Sequence, residues 1–221
     1  NRVRSFVFTS TTSTFGDALT PPAGAPAVWI TEDVVPIPKN IYGATKVAAE
    51  DLCQLFHRNQ KLPCLILRTS RFFPEDDDVP EKRAAFEEAN LKTNELLYRR
   101  VDVEDVVSAH VLAMERAPAL GFGKFIITAT TPFARDDAPE LGVDAAAVLR
   151  RRVPGFEAIY ATQGWKMLPA LDRVYDNARA RTVLGWAPKY DFARALHSLS
   201  AGIDPRSELA RAIGSKGYHP T

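Results

Sequence analysis

Tyr42-Gly43-Ala44-Thr45-Lys46-Val47-Ala48-Ala49-Glu50-Asp51-Leu52-Cys53-Gln54-Leu55-Phe56 decides the fold class of this chain. Ala44, Val47, Ala48, Leu52, Leu55 and Phe56 recur at spacings of three and four, which predicts an amphipathic helix from about Gly43 to Asn59. Two short apolar runs flank it. Val3-Arg4-Ser5-Phe6-Val7-Phe8 precedes it, and Cys64-Leu65-Ile66-Leu67 follows Pro63 as a continuous run expected of a parallel strand buried on both faces. Strand, long helix, strand is a βαβ unit, so the class is α/β with a parallel sheet.

Outward from this unit the chain keeps alternating. A hydroxyl-rich stretch, Thr9 to Thr14, follows the first strand, and Arg68-Thr69-Ser70-Arg71-Phe72-Phe73-Pro74 follows the second. Both therefore lie at the carboxyl ends of strands, where open α/β sheets bind ligands. Residues 18 to 40 hold five prolines and read as an irregular loop with a short strand at Val28-Trp29-Ile30. A helix is expected through Glu81 to Asn90, then an extended piece at Val101-Asp102-Val103. A second amphipathic helix is expected from Glu104-Asp105, ended by Pro118, followed by a strand at Lys124 to Thr128. Beyond these come a helix near Ala138 to Arg152 interrupted around Gly142, and a compact helix after Arg173-Val174-Tyr175 with Asp176 as cap and Gly185 as stop. The last helix is expected from Phe192 to Ala201, with a surface tail from Gly214 to Thr221.

Composition narrows the ligand. The 221 residues are 46% hydrophobic and 25% charged, and 28 Lys plus Arg against 27 Asp plus Glu leave a net charge of +1. That balance has no footprint for nucleic acid or an anionic membrane. Cys53 and Cys64 form no CxxC, so neither a metal knuckle nor a redox pair is indicated, and a reducing, cytoplasmic setting fits. No apolar run reaches the roughly 18 residues that cross a bilayer. His57, His110, His197 and His219 show no ligand spacing, and no metal is expected. Asp76-Asp77-Asp78 reads as a solvated loop. Arg99-Arg100 and Arg150-Arg151-Arg152 read as solvated helix faces, and Trp165, Trp186 and Tyr190 as packing for a small C-terminal lobe.

Tyr42 and Lys46 stand four apart at the start of a helix, on one face and a turn apart. A free tyrosine, with a pKa of about 10, is a poor acid or base at neutral pH, but a lysine charge beside it stabilises the phenolate. A hydroxyl from the Thr9 to Ser13 segment could hold a substrate alcohol or ketone while the phenol exchanges its proton.

Several ordered landmarks then coincide. Phe6-Val7-Phe8-Thr9-Ser10-Thr11-Thr12-Ser13-Thr14-Phe15-Gly16-Asp17, Glu32-Asp33, and Asn40-Ile41-Tyr42-Gly43-Ala44-Thr45-Lys46 with Glu50 come first. Leu67-Arg68, Val103-Glu104-Asp105-Val106, Arg173-Val174-Tyr175-Asp176 and Leu184-Gly185-Trp186-Ala187-Pro188 follow. Together they resemble the extended short-chain dehydrogenase/reductases, and among these the NAD-dependent epimerase/dehydratase group that includes UDP-glucose 4-epimerase. The resemblance implies a Rossmann-like doubly wound parallel sheet with a small C-terminal substrate-binding lobe. It divides the chain into a partial core over residues 1–130, with a lobe excursion at about 71–100, and a lobe and tail over 131–221. It further implies catalysis by Thr11, Tyr42 and Lys46, with a register shift among the hydroxyls around Thr11 left open. NAD or NADP would be held by Ser10, Tyr42, Lys46, Thr69 and Ser70, and a sugar-type substrate by Thr12, Ser13, Arg71 and Arg173. Arg173 stands equally for a phosphate anchor and a structural salt bridge. Dehydrogenation, reduction and epimerisation all stay open, as do nucleotide sugars, uronates and other polyols. A homodimer is expected.

Departures from the family pattern shape the remaining expectations. Arg71-Phe72-Phe73-Pro74-Glu75 stands where the family often has an asparagine followed by Pro or Val-Tyr-Gly. Tyr98 stands where nucleotide-sugar epimerases place an arginine. No GxGxxG or GxxGxxG occurs, so the backbone cradle for a pyrophosphate is not in this sequence. These residues are accordingly expected to be the last two-thirds of a parent of about 330 residues, with the first strand an exposed apolar edge and this chain alone inactive. The rival expectation is a non-catalytic binding or regulatory protein that keeps the fold. Titration with NAD and NADP, on this chain and on a form restored at its N-terminus, separates the two.

Overall fold

The computed structural model describes residues 3–73 and 79–214. Asp76–Asp78 and the tail beyond Gly214 lie outside the described residues. Strand β1 (Phe6–Thr11) takes in the first hydroxyls as well as the apolar run, three residues later than the hydropathy alone indicates. A 3-10 turn at Thr12–Thr14 follows, then β2 (Val28–Ile30), helix α1 (Ile41–Gln60) and β3 (Cys64–Thr69). Asn40 caps α1, its side-chain oxygen accepting the Gly43 N–H at 2.8 Å, and Lys61 ends it in the left-handed region at φ 56°. The expected βαβ unit is therefore present.

The helix expected over Glu81 to Asn90 is two helices, α2 (Pro80–Ala85) and α3 (Glu88–Glu95). Phe86 breaks it with an extended backbone and packs its ring against the lobe core. Helix α4 (Val103–Leu120) is capped by the Asp102 carboxylate and continues through Pro118 instead of ending there. The ring sits in the last turn, so the one bond it removes, to the Met114 carbonyl, lies near the helix end, and the Gly121 N–H closes that end on the Ala117 carbonyl at 2.9 Å. Strand β4 (Phe122–Ile127) follows, then α5 (Ala138–Leu141), α6 (Ala145–Arg152), α7 (Phe156–Gln163), β5 (Arg173–Tyr175), α8 (Phe192–Ser200) and α9 (Glu208–Ile213). The break at Gly142 and the stop at Gly185, with φ 78°, stand as the sequence indicates. Helix α9 was not indicated.

β1, β3 and β4 form a parallel sheet in that order, Thr11 lying opposite Thr69 and Thr69 opposite Ile127. The central strand β3 is buried at all six positions. β1 is an edge strand, and Phe6 is 45% exposed there, in line with the expected apolar edge. Successive residues of β1 address opposite faces: Thr9 meets His110 of α4, and Ser10 meets Glu50 of α1. The sheet thus lies between α1 and α4. A separate core of Leu91, Leu97, Tyr98, Val148, Leu149, Tyr160, Phe192 and Leu196, among others, builds the lobe, and β2 pairs with β5 in parallel beside it. Trp165 packs against this lobe core, but Trp186 packs into the core between the sheet and α4, its indole N–H donating to Ser108 Oγ at 3.0 Å.

Candidate active site

α1 comes down on the turn after β1 at Gly43, its third residue. A Cβ on Gly43 would lie 2.7 Å from the Ser13 carbonyl oxygen, closer than any side chain tolerates, so only glycine lets the helix start this near the turn. The approach brings the Tyr42 to Lys46 segment to the carboxyl end of β1. Lys46 Nζ donates to the Thr9 carbonyl at 2.8 Å and stands 5.7 Å from the centre of the Tyr42 ring, which is 51% exposed. Thr11 ends the strand. Its Oγ1 accepts the Ser13 N–H at 3.1 Å and donates to Ser13 Oγ at 3.2 Å, while Thr14 Oγ1 donates back to the Thr11 carbonyl at 2.8 Å. Thr12 is buried in this turn and Ser13 is exposed on it.

The other sequence-selected residues have definite partners. Ser10 Oγ donates to Glu50 Oε1 at 2.6 Å, and Thr69 Oγ1 donates to the Ser10 carbonyl at 3.0 Å. Both hydroxyls therefore point into protein. Ser70, at the carboxyl edge of β3, is 2% exposed and its hydroxyl has no partner among the described residues. Arg71 pairs with Glu95 at 3.1 Å. Arg173 donates to the Gly16 carbonyl and to Thr20 Oγ1, each at 3.2 Å, and pairs with Asp172, so it ties the loop after β1 to β5.

Three buried carboxylate clusters were not read from the sequence as such. Glu50, wholly buried, accepts from Arg68 Nε at 2.9 Å and Arg68 Nη2 at 2.7 Å, and pairs with Lys124 at 3.0 Å. Burial pushes its carboxyl up, but the Arg68 bonds and charge, with Ser10 and Lys124, outweigh this and hold it below the usual range. The signal was available: an arginine closing a fully apolar strand needs a buried anion. Glu95 is the second centre, met by Arg71, Arg99 at 2.6 Å and Arg100 at 2.8 Å. Arg99 and Arg100 are thus not a solvated face; they clamp a buried acid, as the short chain between Glu95 and α4 folds back on itself. The three arginines of α6 divide likewise. Arg150 pairs with Glu157 on the surface, while Arg151 and Arg152 hold the buried Asp137. Burial works against that carboxyl, yet the Arg152 bonds, the Ala134 N–H and Arg151 bring it down to about 2.

Cys53 and Cys64 are buried free thiols packed with Ile66, and burial pushes Cys64 up to about 12, a range in which it is inert as a nucleophile. A cavity of about 680 Å³ opens between α3, α8 and α9, walled in part by Phe72, Phe73, Trp165 and Tyr190; neither Thr11, Tyr42 nor Lys46 lines it. No described helix is long and apolar enough to cross a membrane.

The profile of the NAD dependent epimerase/dehydratase family matches residues 1–124, from β1 through the start of β4. The chain belongs to the NAD-dependent epimerase/dehydratase family. Two Arabidopsis thaliana proteins named for UDP-arabinose 4-epimerase are among its relatives. One is 30% identical over 145 residues, covering 53% of this chain and 32% of its own length. The other is 25% identical over 224 aligned residues, covering 86% and 49%. The chain thus spans from about a third to about a half of the length of these curated relatives. A short-chain dehydrogenase/reductase superfamily protein of Agrobacterium tumefaciens, solved with bound NAD, aligns over 95% of this family member and 69% of its own chain, with a TM-score of 0.56 at 21% identity. That likeness is one of fold, and it agrees with the parallel, helix-flanked sheet described above.

Proposed function

We propose that the whole protein is an NAD(P)-dependent epimerase or oxidoreductase of a sugar-type substrate. Tyr42 removes or returns a hydroxyl proton, Thr11 holds that hydroxyl, and Lys46 supports both the phenolate and the dinucleotide ribose. The observation that carries this reading is the seating of α1. Gly43 against the Ser13 carbonyl and Lys46 on the Thr9 carbonyl set the phenol and the ammonium at the same strand end as Thr11. The relatives named for UDP-arabinose 4-epimerase support a nucleotide-linked sugar among the substrates to test first.

The residues present fit the nicotinamide end of a dinucleotide. The Ser70 hydroxyl, buried at the edge of β3 without a partner among the described residues, is a polar atom that a ligand can satisfy, and Lys46 keeps N–H donors beyond the one given to Thr9. Bound there, the dinucleotide would supply hydride transfer to or from the substrate carbon. Ser10 and Thr69, whose hydroxyls are bonded inward, would contribute through their backbone. Ser13, exposed on the turn, and Arg71 remain the substrate-side candidates, and Arg173 acts by holding the loop that follows Ser13. No glycine-rich cradle for the pyrophosphate is among these residues, so only the nicotinamide end is assigned to this chain.

Tyr42→Phe in the whole protein tests the reading. Turnover should fall about 10²- to 10⁴-fold, the range for loss of a general acid or base, with NAD or NADP affinity little changed in a fluorescence titration. Retained turnover would overturn the assignment.

A further inference from the structure

Tyr42, Lys46 and Glu50 follow one another at four-residue intervals on α1, so their side chains share a face. A lysine and a glutamate at that spacing ordinarily pair across the turn. Here they do not: the Lys46 ammonium goes to the Thr9 carbonyl at 2.8 Å, 5.0 Å from the Phe8 ring. Glu50 is engaged on the other side. Its Oε1 takes Ser10 Oγ at 2.6 Å and Arg68 Nε at 2.9 Å, and its Oε2 takes Arg68 Nη2 at 2.7 Å and Lys124 Nζ at 3.0 Å. A carboxylate offers about four lone-pair directions, and this set uses them all.

We propose that Arg68 and Lys124 are positioning residues for Lys46: by saturating Glu50 they deny it to the ammonium one turn away, which is left to the Thr9 carbonyl beside Tyr42. Two cations on one anion also leave the cluster with an excess positive charge. Lys46 paired to Glu50 would be a neutral couple, with little field left for a phenolate. Through these contacts α1 grips two successive residues of β1, the carbonyl of Thr9 and the hydroxyl of Ser10. The inference rests on the reading of Tyr42 and Lys46 as the reacting pair, since only there does the place of the ammonium matter to chemistry.

The experiment reads Lys46 directly in the chain as it stands. In proton–nitrogen NMR spectra of lysine ammonium groups, the Lys46 signal, assigned by its loss in Lys46→Arg, should show a through-hydrogen-bond coupling to the Thr9 carbonyl carbon. Arg68→Met frees one side of Glu50, so that coupling should be lost and one to the Glu50 carboxyl carbon should appear. Adding Glu50→Gln to Arg68→Met removes the competing charge and should restore the coupling to Thr9. A Thr9 coupling unchanged in the single variant, or absent from the double variant as from the single, overturns the proposal, because the first shows no competition and the second shows an effect of packing alone. If Arg68→Met fails to fold, Lys124→Met, at a side chain only a quarter exposed, should weaken the Thr9 coupling about twofold to threefold, and no change there is equally decisive. None of these measurements needs turnover, so the failure of the Tyr42→Phe test and the failure of this one are distinguishable.

Discussion

On the face of the sheet covered by α4, β3 presents Leu65 and Leu67 to Ala109, Ala113 and Ala117; on the face covered by α1, the same strand presents Cys64, Ile66 and Arg68. The contact of β3 with α4 is apolar and built on small helix residues that let the two layers close. The α1 face is dry for half its length and then becomes a knot of Ser10, Glu50, Arg68 and Lys124 at the end where the candidate active site lies. Apolar contact is non-directional and leaves a helix free to slide or roll by fractions of an ångström. Bidentate ion pairs are directional. The contrast teaches that this fold uses oil where it needs only cohesion and charge where it needs a fixed register between α1 and β1.

Breaking the charged face should cost most. Glu50→Ala leaves the Arg68 guanidinium, 1% exposed, without its anion and should destabilise by about 3–5 kcal/mol in urea unfolding. Replacing Glu50 and Arg68 together by Leu and Met should cost far less, because no orphaned charge remains. On the apolar face Leu67→Ala should cost about 2–5 kcal/mol, and Leu67→Met less than about 1.5 kcal/mol, since volume is what counts there. Gly43→Ala forces its new methyl against the Ser13 carbonyl. It should cost about 1–3 kcal/mol and, in the whole protein, lower turnover more than it raises KM. An unchanged rate would show that the site tolerates a displaced helix.

The smallest effect is a pH dependence with opposite signs in two places. Asp137, brought down to about 2 from an ordinary 3.8, contributes stability that is complete above 3.8 and is lost as pH falls toward 2. Asp105 is the reverse. Burial in the first turn of α4 raises it to about 6 even though it accepts the Lys189 and Tyr190 N–H groups, so the folded state binds the extra proton and stability falls as pH rises from 3.8 to about 6. Asp137→Asn should therefore remove the loss on acidification, and Asp105→Asn should flatten stability between pH 4 and about 6, each read from the denaturation midpoint against pH.

Much of this was legible in the chain. The period of α1, the apolar run of β3 and the stop at Gly185 are local signals, and each appears where propensity and capping place it. The boundaries that differ are those where a tertiary contact intervenes. Phe86 leaves its helix to enter the lobe core, and Pro118 stays within one because the end of α4 is packed. At the site, Tyr42, Lys46 and the hydroxyls after β1 were legible as types and spacings. The fate of each hydroxyl was not, because Ser10, Thr11, Thr12 and Ser13 look alike in sequence and differ only in what stands opposite them.

The sequence by itself determined the class of the fold, the helix that carries Tyr42 and Lys46, and membership of a family whose landmarks run in order along the chain, because hydrophobic period, caps and turns act over a few residues. Only the tertiary structure decided which charges meet. Glu50, Arg68 and Lys124 come from α1, β3 and β4, and nothing in their spacing says that one buried carboxylate would gather both cations and leave Lys46 to the strand. The reason is physical: a buried charge is stable only beside its counter-charge, and that partner is chosen by the packing of layers distant in the chain.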